Sequence, residues 1–172
     1  MIYTVECNFV NSTQEADWNN FYSRTKLPAL ISVPGFRSSQ RFKALTPGCP
    51  TYLAIHTVTG PEVLTSDAYR EKGGGNFASW QNQITDWHRN LYDGIDMAPG
   101  VEEGQCLLLC HTGPDPLRQL ATTPMPLHAV GLDRRHEHRW MARWDSDRKS
   151  PIEKLPSGVS LYMPIGRQLL NV

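Results

Sequence analysis

The densest run of chemically capable side chains in this sequence is Asp86-Trp87-His88-Arg89-Asn90-Leu91-Tyr92-Asp93. Side chains two apart on a strand share a face, so Asp86, His88, Asn90 and Tyr92 point one way, and Trp87, Arg89 and Leu91 the other. A carboxylate placed two residues from a histidine can fix its tautomer for acid–base work. Arg89 can hold a substrate carboxylate or phenolate through its forked donors. On a helix His88 and Tyr92 would be neighbours instead, and a polar edge strand that simply meets water is the non-functional alternative.

Glu6, Tyr52 and His56 form a second set. The opening segment alternates, with Tyr3, Val5, Cys7 and Phe9 on one side and Thr4, Glu6 and Asn8 on the other. The apolar side, together with Leu53 and Ile55 of a later strand, is expected to pack on helices. The opposite side then offers Glu6, Asn8, Tyr52 and His56 to a cavity. There His56 serves as general acid or base, oriented by Glu6 or Tyr52, because a lone carboxylate is costly to bury without such a role. Solvated or interface-paired polar side chains are the alternative.

His136-Glu137-His138 invites a metal reading, since His-x-His on a strand places both rings on one face. Arg134, Arg135, Arg139 and Arg143 surround the pair and would repel a cation, and no carboxylate follows until Asp145. No metal is therefore assigned. A basic face carrying Trp140 and Trp144 fits better, as cation–π packing between two halves or as a surface for an anionic aromatic ligand. Gly73-Gly74-Gly75 followed by Asn76-Phe77-Ala78-Ser79-Trp80 reads as a lid. It lacks the Lys-Ser/Thr of a phosphate loop, so no nucleotide is expected.

The elements that must position these residues follow from periodicity and turn chemistry. Strands are expected at 1–10, 36–44, 51–58 and within 84–92, with helices after Ser12 or Thr13 and after Pro61. Pro28 should bend or end the first helix. The order is β-α-β-β-α-β. Beyond it, strands at 105–111, 127–133, 137–144 and 159–165, with short helical stubs at 114–120 and 150–155, repeat that order. The fold class is thus α+β: antiparallel sheets backed by helices, in two ferredoxin-like βαββαβ halves, 1–101 and 102–172. One eight-stranded mixed domain without a repeat is the alternative.

Composition bounds the rest. The 172 residues carry 17 basic and 17 acidic side chains, no net charge, 40% apolar and 20% charged residues, which suits an ordinary folded domain. Without a basic run no nucleic-acid partner is expected, and without a stretch of about 20 apolar residues no membrane span. The start lacks the pattern of a secretory signal. Cys7, Cys49, Cys106 and Cys110 form no CxxC pair, so reduced thiols and a cytoplasmic location are expected.

The passage from the Ile2-Tyr3-Thr4-Val5-Glu6 strand through a polar-start aromatic helix to Val33-Pro34-Gly35-Phe36 and an Arg-bearing strand resembles the dimeric α/β-barrel superfamily. Antibiotic-biosynthesis-type monooxygenases, stress-responsive barrel proteins and muconolactone isomerase-like enzymes belong to it. The resemblance covers roughly residues 1–95 and implies a small-molecule site between sheet and helices, with a barrel formed by two chains or, given the long second half, within one. The leading expectation is a cofactor-independent lyase, isomerase or cyclase acting on a small aromatic or carboxylated metabolite. His56 or His88 would be the base and Glu6 or Asp86 the orienting carboxylate. Arg41 or Arg89 would stabilise developing charge, and Tyr52, Tyr92 and Trp80 would wall off water. A non-catalytic binding protein and a haem- or oxygen-dependent member of the superfamily are the alternatives. A homodimer is compatible with all three.

Overall fold

In the computed structural model, which describes residues 1–145 and 155–171, the alternating first segment is strand β1 (Ile2–Phe9). A helical stretch follows: α1 (Glu15–Phe21), a π-helical turn (Tyr22–Lys26) and α2 (Leu27–Ile31). Pro28 neither ends nor breaks this stretch. The wider π turn just before it accommodates a residue that has no N–H and crowds the carbonyl four positions back. Neither Ser12 nor Thr13 caps α1; Asn11 instead accepts from the Thr13 amide and hydroxyl, closing the turn ahead of the helix.

Strands β2 (Phe36–Ala44) and β3 (Tyr52–Val58) come next. After a 3-10 turn (Pro61–Thr65), Ser66 caps α3 (Asp67–Glu71), its hydroxyl accepting from the Tyr69 amide. A second 3-10 turn (Ala78–Gln83) leads into β4 (Ile84–Asp93). The later elements are β5 (Gln105–Cys110), α4 (Asp115–Arg118), β6 (Met125–Leu132), β7 (His138–Asp145), β8 (Val159–Pro164) and β9 (Leu169–Leu170). The helical turn expected at 150–155 falls almost wholly outside the described residues. No described helix is long and apolar enough to cross a membrane.

Eight strands join in the order β3-β1-β4-β6-β7-β5-β8-β2, and β2 pairs back to β3. Every pairing is antiparallel, and the ring closes within one chain. β4 meets β6, with Asn90 opposite Leu132, and β2 meets β8, with Phe42 opposite Pro164. The short β9 adds to β2 beside Ser38 and Ser39.

A barrel of this size has an interior just wide enough to be filled by side chains. Here Ile2, Leu53, Ile55, Tyr92, Leu107, Leu109, Met141 and Tyr162 fill it. Outside, Tyr3, Val5 and Cys7 meet Trp18, Tyr22 and Leu30 of the helical stretch, while Leu108, Ala142 and Trp144 meet Leu117 of α4.

Register corrects one expectation. Leu53 lies opposite Glu6 and Ile55 opposite Thr4, so both face the barrel interior rather than the helices. Tyr52 and His56 lie opposite Cys7 and Tyr3, and they face the helices. Directly paired residues share a sheet face, so Glu6 and His56 lie on opposite faces and Glu6 cannot orient that imidazole. The basic, aromatic face expected around Trp140 and Trp144 does not form either. Arg139 turns inward, Trp144 packs beneath α4, and the cation–π contacts of the described residues involve Lys26, Arg41, Lys43 and Arg89.

Candidate functional site

On the outer face of the first half, an open cleft of about 490 Å³ lies between the β4–β6 joint and the turn after β3. Met1, Pro61, Leu64, Leu91, Val130 and Leu132 give it apolar walls, and Tyr3 and Arg89 form its polar end. Val130 and Leu132 are about half exposed, which is unusual for large apolar side chains on a sheet face. Behind the same two polar residues lies a small inner pocket that also meets Tyr22, Lys26, Tyr69, Asn76, Phe77 and Trp87. Neither hollow is lined by an aspartate or glutamate.

The charge in this site is one-sided. Among the described residues, the Arg89 guanidinium enters no hydrogen bond or ion pair; it lies 5.2 Å from the Trp87 ring centroid. Lys26 is buried and donates to the carbonyls of Gly73 and Asn76. The hydroxyls of Tyr3 and Tyr69 hydrogen-bond at 2.9 Å, and burial, reinforced by Tyr69, pushes the Tyr3 phenol well above its usual range. Tyr3 therefore presents a neutral hydroxyl at physiological pH.

His56 lies beneath this site and does not line it. Its ring stacks on Tyr3 at 5.3 Å, Phe36 meets it edge-on, and its Nδ1 hydrogen-bonds Ser39 Oγ at 2.8 Å. Among the described residues Nε2 has no hydrogen-bond partner. Burial, with help from the Lys26 charge, lowers its pKa to about 3, so the ring is neutral.

The other sequence-derived candidates separate. Asp86 and His88 do come together, with Nε2 donating to Oδ1 over 2.8 Å, and Arg135 lies 3.5 Å from the same oxygen. This pair is partly exposed, with His88 opposite Glu6 on the barrel-facing side of β4, away from the cleft. Asp86 adopts a positive φ of 46° where β4 bulges. Glu6 is spent on Arg139, a two-point ion pair inside the barrel. Burial alone would raise its pKa, but the Arg139 charge and hydrogen bonds hold it below the usual carboxylate range.

Arg41 is wedged among Trp18, Tyr22 and Tyr52 and donates to Asn19 and Ser23. The Tyr52 hydroxyl donates to Glu15 and accepts from Asn19. Tyr92 is fully buried inside the barrel. Trp80 packs edge-on against Phe9, outside the cleft.

Of the sequence-derived candidates, then, only Arg89 lines the cleft; Tyr3 beside it, and Lys26 and Tyr69 in the inner pocket, are not among those candidates. Tyr3 has the parity of a core residue. Lys26 had a signal: Trp18, Tyr22, Lys26 and Leu30 recur every four residues, which sets a lysine within an apolar stripe.

His136 and His138 do not converge. His136 stacks on His111 at 4.4 Å, and His138 meets His128 across the β6–β7 pairing. Among the described residues no group of three or more His, Cys, Asp or Glu side chains is arranged to hold a metal. The histidine that a haem-dependent alternative requires is not among the residues lining the cleft or inner pocket. The four cysteines are free. A larger cleft, about 590 Å³, lies between 101–106 and 163–167, but none of the sequence-derived candidates lines it.

No family model matches the chain, and no curated protein does. Among solved structures, it is similar to a "putative monooxygenase" from Fusobacterium nucleatum subsp. nucleatum, with a TM-score of 0.57 and 8% identity over 99% of this chain and 98% of that one. A "putative monooxygenase" from Lactobacillus acidophilus gives a TM-score of 0.53 at 7% identity, over 99% of each chain. An anthrone oxidase-like protein gives 0.55 at 9%, over 98% of this chain and 92% of that one. At such identities the likeness is one of fold, and it extends over the whole barrel.

Proposed function

We propose that the chain is a small-molecule enzyme whose site is the Tyr3–Arg89 cleft, and that its substrate is a planar phenol or enolisable ketone bound as its anion. One observation carries this reading: among the described residues Arg89 has no ion-pair or hydrogen-bond partner for its guanidinium, which stands at the end of an apolar cleft lined by no carboxylate. A guanidinium so placed favours an anionic oxygen and lowers the pKa of the group that bears it. Leu64, Leu91, Val130 and Leu132 take the ring faces. With Tyr69 donating to Tyr3, the Tyr3 proton is left to donate to the same oxygen, and His56 holds Tyr3 in place by stacking rather than meeting substrate.

The names of the structural neighbours support oxidation of such an anion by molecular oxygen. At an activated CH2, a proton leaves, O2 adds to the carbanion and takes up a proton, and the hydroperoxide loses water to leave a carbonyl. O2 supplies both the oxidant and the carbonyl oxygen. The strand orders β4-β1-β3-β2 and β6-β7-β5-β8 support reading the halves 1–101 and 102–172 as ferredoxin-like units, as in the barrel superfamily that the first half resembles.

The Asp86–His88 hydrogen bond favours a second reading, in which His88 carries acid–base chemistry of the lyase, isomerase or cyclase kind at the barrel mouth. Oxygen uptake with a panel of anthrones and naphthols separates the two. The cleft reading expects O2 consumption that Arg89→Gln abolishes. Conversion that proceeds without oxygen and is lost in His88→Gln, but not in Arg89→Gln, would replace it. Binding without conversion would leave a ligand-binding protein.

A further inference from the structure

The inner pocket behind Tyr3 and Arg89 offers about 10 Å³, room for one water, while the cleft in front of it holds about 490 Å³. A ligand group larger than a water fits the inner pocket only if part of its lining moves. The part suited to move is the segment 73–77. It lies between α3 and the following 3-10 turn with no helix or strand of its own. Gly73 and Gly75 hold φ values of 77° and 75°, which L side chains rarely adopt.

What holds the segment down is Lys26. Its ammonium reaches across from the helical stretch and donates to Gly73 O and Asn76 O, both at 2.5 Å. Phe77 is the plug: 1% exposed, it packs 6.0 Å from the Tyr22 ring and 5.4 Å from Trp87. Among the described residues Lys26 has no carboxylate partner; beyond the two carbonyls it meets the Tyr22 and Phe77 rings, 5.8 and 5.5 Å away. Burying a cation on carbonyl dipoles alone is costly, and burial accordingly lowers its pKa to about 8. An anion in the pocket would satisfy Lys26 better than two carbonyls do.

We propose that segment 73–77 is a flap latched by Lys26 over an anion subsite, and that the acidic group of a ligand lying in the cleft opens it by drawing Lys26 away from Gly73 and Asn76. This rests on the cleft reading above and adds to it a second, inner contact for an ionised group. The expected ligand is thus a planar aromatic whose acidic group projects past Arg89.

Two measurements test it. The first is amide hydrogen exchange over 73–77 in ligand-free protein, which needs no substrate. Lys26→Met is expected to speed exchange there at least tenfold while the barrel strands keep their protection. Gly73→Ala, where a Cβ meets nothing within 4 Å and only the positive φ is strained, is expected to speed it too, so the test survives if the lysine variant folds poorly. Unchanged exchange in both variants overturns the latch.

The second measurement is titration with 2-naphthoate and with 2-naphthamide, its neutral counterpart. Wild type is expected to bind the acid at least tenfold more tightly, with faster exchange over 73–77 in that complex, and Lys26→Met is expected to erase most of the preference. A preference that Lys26→Met leaves intact overturns the subsite. Equal binding of both compounds overturns anion-driven opening while leaving the cleft as a site for planar ligands. A wild type that binds neither overturns the cleft reading together with ligand-driven opening.

Discussion

The carboxylate of Glu6 on β1 accepts two hydrogen bonds from the guanidinium of Arg139 on β7, at 2.8 and 2.9 Å, inside the barrel and 133 residues away in sequence. Both side chains are almost completely buried. The pair ties the first strand of the chain to the seventh.

Breaking this pair by removing one partner strands the other charge in the core. Glu6→Gln and Arg139→Met are each expected to cost about 3–5 kcal/mol in urea unfolding. The double variant Glu6→Leu/Arg139→Met should lose much less than the sum, because no charge is then left unpaired. Additive losses would mean that the two residues do not stabilise each other.

Arg89 is expected to decide affinity in the cleft. Arg89→Gln keeps length and polarity but removes the charge, and should weaken 2-naphthoate by tenfold or more, on the order of 1.5–3 kcal/mol for a hydrogen bond to a charged group. Calorimetric titration of the two proteins reads this directly. Equal affinities would remove Arg89 from the site.

Arg41 should behave in the opposite way. Its guanidinium is buried among Trp18, Tyr22 and Tyr52, and burial lowers its pKa to about 10. Arg41→Leu is expected to destabilise the fold by about 2–4 kcal/mol by leaving Asn19 and Ser23 without their donor. Affinity for 2-naphthoate should stay within about twofold of wild type, as the same titration would show.

Stability should fall on the acid side through His56. Its pKa is lowered to about 3 in the folded chain and returns to about 6.5 on unfolding. Below pH 6.5 the unfolded chain therefore binds a proton that the folded chain refuses. The stability due to this group is complete above pH 6.5 and is lost as pH falls toward 3. Between pH 8 and pH 5 the loss should be about 2 kcal/mol. His136, half-buried and lowered to about 4, adds a smaller loss of the same sign. Urea unfolding of His56→Gln at both pH values should show a correspondingly flatter dependence; an unchanged slope would contradict this origin.

Most strands of the barrel could be read from the sequence because residue type alternates along them and a turn bounds each. β1 shows this best: Tyr3, Val5 and Cys7 against Thr4 and Glu6 gives both the strand and its helix-facing side without any tertiary information. The strand of 36–44 was located residue for residue for the same reason. What alternation cannot give is the facing of a strand buried on both sides. Every residue of Tyr52–Val58 is buried, so the pattern carries no parity there. Only pairing with β1, which sets His56 opposite Tyr3 and Leu53 opposite Glu6, decides which side chains enter the barrel.

The site divides in the same way. That Arg89 stands beside Trp87 and opposite in parity to His88 follows from residue type and period two. That it ends a cleft shared with Tyr3, in front of an inner pocket lined by Lys26 and Tyr69, does not. Those residues come from separate elements whose approach is set by the closing of the sheet and the docking of the helical stretch. Local chemistry thus fixed the elements and the capable side chains. The long-range register of the ring, which no short window of sequence contains, decided that Glu6 would pair with Arg139 inside the barrel and that Arg89 would stand at the end of an apolar cleft.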